Sequence, residues 1–151
     1  MSSSAIDCFD YATTAWVAAV RDLATQLVVG KDLTGLSFTM CEELTDPPPD
    51  RPLTTSGTIG WWLGIRDGRV ETGDQPLEKA DIRVVADYAT HHDLSRRIWA
   101  GNPDAIANSK ALRERAVSEG KLRIDGNLST APPLILELVH ELHDRVAAIT
   151  K

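Results

Sequence analysis

The chain has 151 residues, 42% of them hydrophobic and 25% charged, with a formal net charge of −6. That length suits a single domain over residues 1–151, and such a domain can bury roughly 70% of the surface its unfolded chain exposes. The acidic balance excludes nucleic acid as a natural partner and gives no attraction to anionic lipid surfaces. No apolar run approaches the ~20 residues that stable membrane insertion needs.

Cys8 and Cys41 show no CxxC spacing and read as free thiols of a reducing compartment. The opening MSSSAIDCFD lacks the basic and apolar regions of a signal peptide. A cytoplasmic location is expected.

In chain order, Trp16, Val20, Leu23 and Leu27 recur on one helical face and predict a helix from about Cys8 to Val29, closed by Gly30. The segment from Leu36 to Glu42 alternates and predicts a strand with Phe38 and Met40 on its buried face. Pro47, Pro48, Pro49 and Pro52 then impose an extended connection. TIGWWLGI, residues 58–65, is a second strand. Asp67-Gly68 signals a hairpin into a short third strand from about Arg69 to Gly73. Residues 81–87 give a fourth strand, with Ile82, Val84 and Ala86 on one face. Thr90 is expected to cap a helix carrying Leu94, Ile98 and Trp99 as far as Gly101. Pro103 opens another helix to about Glu119, with Ile106 and Leu112 inward. Leu122 and Ile124 form a fifth strand. Ile135, Leu138, Leu142, Val146 and Ile149 make the apolar stripe of a last helix from about Pro132. The order implies an α+β fold with one-sided strands and helices stacked on one face of the sheet.

The adjacent tryptophans must face opposite sides of their strand. Trp61 shares a face with Ile59, Leu63 and Ile65 and belongs to the core. Trp62 falls on the outer face between Gly60 and Gly64, with Ser37, Thr39, Cys41, Arg83 and Arg123. Three covers are expected to compete for it: a stacked arginine such as Arg83, the proline loop, or a second subunit in a homodimer.

ADIRVVADYATHHDLSRRIWAGNPDAIANSK, followed by GKLRIDGN, resembles the sterol carrier protein 2 (SCP2-like) family. The resemblance is carried by Ala80, Asp81, Ile82, Val84, Asp93, Leu94 and Gly101, then by Gly120, Lys121, Leu122, Ile124, Gly126 and Asn127. WWLGIRDGRVETG resembles the family's Trp-containing strand and hairpin. The order of elements agrees over nearly the whole chain. The resemblance implies a five-stranded mixed sheet with an apolar tunnel between sheet and helices, used to bind or transfer lipids, sterols or acyl chains. The segment from Pro103 to Glu119 and the proline loop depart from the family pattern, so no ligand preference carries over.

The candidate ligand-binding residues are Phe38, Met40, Trp61, Leu63, Ile98, Trp99, Ile106 and Leu112. Apolar walls of this kind suit a lipid pocket and equally suit a filled core. An alternative is a small enzyme acting on a steroid-like or polyketide-like substrate, with His91, His92 or Asp81 as acid or base. His140 and His143 sit three apart among acids and read as a solvated helix face, with no metal expected. GxGxxG, Walker, HExxH and GxSxG motifs are absent, and no cofactor is expected.

Overall fold

A computed structural model of the chain describes residues 6–151; the reading of the N-terminal segment falls mainly on residues 1–5, outside the described residues. Four α-helices and five strands follow in the order α1 (Thr14–Val28), β1 (Ser37–Thr45), β2 (Ile59–Arg66), β3 (Arg69–Gly73), β4 (Ile82–Asp87), α2 (Tyr88–Ser95), α3 (Pro103–Ser118), β5 (Leu122–Asp125) and α4 (Pro133–Ile149). The sheet order is β3-β2-β1-β4-β5. β1 runs parallel to β4 and every other pairing is antiparallel, which makes the sheet mixed. The fold is α+β.

The register fixes what the inner face presents. Met40 pairs with Leu63 and Ile82, and Glu42 pairs with Trp61 and Val84. One hydrophobic cluster joins this face to Trp16, Val20 and Ala24 of α1 and to Ile135, Leu138 and Leu142 of α4. The helical stripes read from the sequence face the core in both helices, with Leu23 of α1 only half-buried.

The helix boundaries differ from the sequence reading where side chains cap. α1 begins at Thr14 rather than Cys8, because Thr13 Oγ1 accepts from the Trp16 amide at 3.1 Å. The chain before it is a separate extended segment. The Phe9 amide donates to the Ile149 carbonyl at 2.7 Å, and Lys151 returns a bond to the Phe9 carbonyl at 2.9 Å. Asp87, not Thr90, caps α2, accepting from the Thr90 amide at 3.1 Å. α2 ends at Ser95, so Ile98 lies beyond it and is 47% exposed. α3 turns Ser109 and Ala116 toward the core, while Ile106 near its start is 49% exposed. Both inward residues are small, so no stripe of large apolar side chains marks this face. Ile98 and Ile106 are therefore not the inward residues the sequence suggested.

On the outer face Trp62 is half-buried. Its indole lies across Gly64 and Gly73, and a Cβ built on Gly73 would overlap the ring at Nε1. Arg83 is engaged elsewhere, with Glu43 and the Leu77 carbonyl. The loop between β3 and β4 folds over the neighbouring outer face, where the Leu77 amide donates to Cys41 Sγ at 3.2 Å and Pro76 sits against Gly60. The proline loop is tied to the segment before α1, with Arg51 Nη2 donating to the Tyr11 carbonyl at 2.9 Å. Gly73→Ala is expected to expel the indole and cost about 1–3 kcal/mol, as overpacking does. Near-UV circular dichroism and urea denaturation would read both effects.

Candidate functional site

Between the inner face of the sheet and the helices lies a cavity of about 410 Å³. Its walls are mostly apolar: Phe38, Met40, Ile82, Val84, Leu94 and Val146 are among them. The buried lining residues Trp16, Val20, Glu42 and Trp61 mark its closed end. The exposed lining residues Ile124 of β5 and His140 of α4 mark the side where it opens.

Of the residues expected to bind a ligand, Phe38, Met40, Trp61 and Trp99 line this cavity. Leu63 is fully buried and serves the core. Leu112 packs half-buried against the same core. Ile106 lines an outer groove, which shares Trp99, Arg113 and His140 with the cavity, so those three side chains stand between groove and cavity. Ile98 lines neither.

The opening is built from residues far apart in sequence. Asp144 of α4 accepts from the Trp99 and Ala100 amides at 2.7 and 3.0 Å, which pins the chain after α2 to the last helix. Trp99 stacks on His143 with centroids 3.5 Å apart, donates through Nε1 to Ser109 Oγ at 3.1 Å, and has the Arg113 guanidinium 5.6 Å above its ring. Arg113 is lowered from its ordinary value by burial.

His143, expected on a solvated face, is instead half-buried, and its Nε2 lies 2.8 Å from the Arg97 carbonyl. A carbonyl only accepts, so Nε2 carries a proton. Burial lowers the His143 pKa from its usual 6.5, against smaller raising contributions from the Arg97 bond and Asp144. The folded state thus prefers the neutral ring. Its contribution to stability is complete above pH 6.5, the unfolded value, and is lost as pH falls through the lower folded value. We expect His143→Gln to flatten the fall in urea midpoint between neutral and mildly acidic buffer; equal slopes for variant and wild type would refute this.

The three candidate acid–base residues separate. Asp81 is exposed, accepts from the Thr39 amide at 2.8 Å and so ties the start of β4 to β1. His92 meets the Lys151 carbonyl, away from the cavity lining. Only His91 lines the cavity, and it brings a cluster that sequence reading did not find. Glu42 is 6% exposed in the middle of β1. Its Oε2 accepts from Trp61 Nε1 at 2.6 Å and from the Tyr11 hydroxyl at 3.0 Å. His91 Nε2 stands 3.5 Å from Glu42 Oε1, and its Nδ1 stands 2.7 Å from the Tyr11 hydroxyl. Burial first, and the Glu42 charge next, push the Tyr11 phenol well above its usual 10.0, so it keeps its proton. The available signal for Glu42 was parity: it shares a strand face with Phe38, Met40 and Leu44.

Among the described residues no helix is long and apolar enough to cross a membrane, and no group of three or more His, Cys, Asp or Glu is placed to hold a metal. No protein-family model matches the sequence, and neither does any curated protein. Solved structures do match. One is a solution structure of a conserved protein from Thermus thermophilus whose description raises a sterol carrier role; it is 17% identical over 97% of this chain and 94% of its own, with a TM-score of 0.53. A crystal structure of sterol carrier protein 2 is 17% identical over 92% of this chain and 98% of its own, also with a TM-score of 0.53. The similarity extends over nearly the whole of both chains and is a similarity of fold.

Proposed function

We propose that this protein binds an apolar small molecule, a lipid, sterol or similar ligand, in the cavity between sheet and helices, and shields or transfers it in the cytoplasm. The observation that carries this reading is the cavity itself: about 410 Å³, walled by aromatic, aliphatic and thioether side chains, with few polar groups. Burial of the ligand's apolar surface supplies affinity at roughly 25 cal/mol per Å² before the costs of association. Met40 and the tryptophans can adapt to an irregular ligand. The SCP2-like fold supports the reading, since a solved structure of that fold is named a sterol carrier. The unpaired Cys8 and Cys41 fit a reducing compartment.

Native mass spectrometry, before and after organic extraction, would find a co-purifying apolar mass. Val139 of α4 lines the cavity and is only half-buried, so a larger side chain there can fill it. N-phenyl-1-naphthylamine should brighten on binding the wild type, and Val139→Trp should weaken it at least about tenfold with an unchanged circular dichroism spectrum. Equal binding by a folded Val139→Trp variant would remove the cavity as the site.

A further inference from the structure

The closed end of the cavity is polar, which an entirely apolar cargo does not require. A buried carboxylate is costly unless its lone pairs are satisfied. Glu42 Oε2 is satisfied twice, by Trp61 and Tyr11. Oε1 makes no hydrogen bond among the described residues: its nearest polar neighbour, His91 Nε2, is 3.5 Å away, longer than a good hydrogen bond. Ser95 Oγ does not serve it, because it donates to the His91 carbonyl at 2.7 Å. Glu42 and His91 both line the cavity, together with Ser95, whose hydroxyl is already engaged by the His91 carbonyl, and with the apolar Trp16, Val20, Trp61 and Leu94. An under-used carboxylate oxygen thus faces the deepest part of an apolar chamber.

The geometry points to a head-group site, and we propose that it selects an alcohol: a ligand with an apolar body and one hydroxyl, inserted hydroxyl first. This rests on the proposed apolar-ligand function and names the ligand class. The hydroxyl proton goes to Glu42 Oε1. Tyr11 has one hydroxyl proton and gives it to Glu42 Oε2, so its oxygen accepts from His91 Nδ1–H at 2.7 Å and no proton on the cluster turns to Oε1. A hydroxyl supplies the one donor that Oε1 lacks. An ether lacks the proton for Glu42. A fatty acid carboxylate would set a second negative charge against Glu42 in a desolvated pocket, which is strongly unfavourable. The apolar body then lies along Phe38, Met40 and Val84 toward the opening at Trp99 and Ile124.

The test compares three ligands of equal chain length on the intact protein: decanol, decyl methyl ether and decanoate, each displacing N-phenyl-1-naphthylamine. Hydrogen bonds to a charged group correspond to about tenfold or more in affinity, so decanol should bind the wild type at least about tenfold tighter than either competitor. Equal displacement by all three overturns the head-group site and leaves the apolar cavity standing. No displacement by any of them overturns both. Glu42→Gln removes the charge with little change of shape, and should bring decanoate to within about threefold of decanol. A folded Glu42→Gln protein that keeps the full alcohol preference overturns the assignment to Glu42. If that variant does not fold, the wild-type series alone still decides.

Discussion

Trp16→Ala is expected to lower the unfolding free energy by about 3–5 kcal/mol, a large share of the 5–15 kcal/mol that holds an ordinary domain together. Trp16 is 1% exposed at the centre of an aromatic cluster. Tyr11 meets it edge-on at 5.1 Å between ring centroids, and Trp61 does so at 4.9 Å. Its Nε1 donates to Thr150 Oγ1 at 2.9 Å, which joins α1 to the chain end beyond α4. Truncation removes the apolar burial, both edge contacts and this bond, and extends the ligand cavity with space that rigid neighbours cannot fill. Trp16→Phe keeps a ring and loses the hydrogen bond, so about 1–2 kcal/mol is expected. Urea denaturation of both variants reads the difference. A Trp16→Ala loss below about 1 kcal/mol would mean the cluster relaxes into the space, contrary to the close packing assigned to it.

The same cluster shows where the sequence was legible. Trp16 and Trp61 follow period and parity: one lies on the helical stripe with Val20 and Leu27, the other on the strand face with Leu63 and Ile65. Local pattern is sufficient for such residues, and for all nine regular elements in their order. Tyr11 was hidden because the helical stripe was extended back to Cys8. The Thr13 cap and the positive φ of 59° at Ala12 break the helix there and turn the phenol toward Glu42. Glu42 was hidden because an acid reads as the end of an apolar strand, although its even position put it inside. The Asp144 anchor of Trp99 spans 45 residues and leaves no local signature. Whether inward side chains fill a core or line a chamber depends on how far α3 stands from β5 and α4, and hydrophobic periodicity carries no record of that distance. The resemblance to the sterol carrier protein 2 family supplied the sheet and the expectation of an internal chamber, but not the polar cluster at its closed end.

Removing that polar cluster's centre should have the other large effect. Glu42→Ala takes the acceptor from Trp61 Nε1, which is buried and has no other hydrogen-bond partner among the described residues. Tyr11 fares better, since His91 Nδ1 is 2.7 Å from its hydroxyl. One orphaned donor costs about 1–3 kcal/mol, and the lost packing of a buried side chain adds to it, so about 3–5 kcal/mol in total is expected. Glu42→Gln retains an acceptor oxygen for Trp61 and should cost only about 1–2 kcal/mol. The contrast separates two roles of one side chain. If both variants lose equally, the charge rather than the hydrogen-bond geometry holds the cluster, and an apolar isostere such as Glu42→Met should then be tolerated better than Gln. If Ala is far worse than Gln, Trp61 and Tyr11 depend on an oxygen at that place, and the carboxylate's second oxygen is left free for cargo. Melting all three variants with and without saturating decanol extends the comparison to function. A bound alcohol should raise the wild-type melting temperature by mass action. It should do so least for Glu42→Met, which keeps the shape of the chamber and offers the hydroxyl no acceptor.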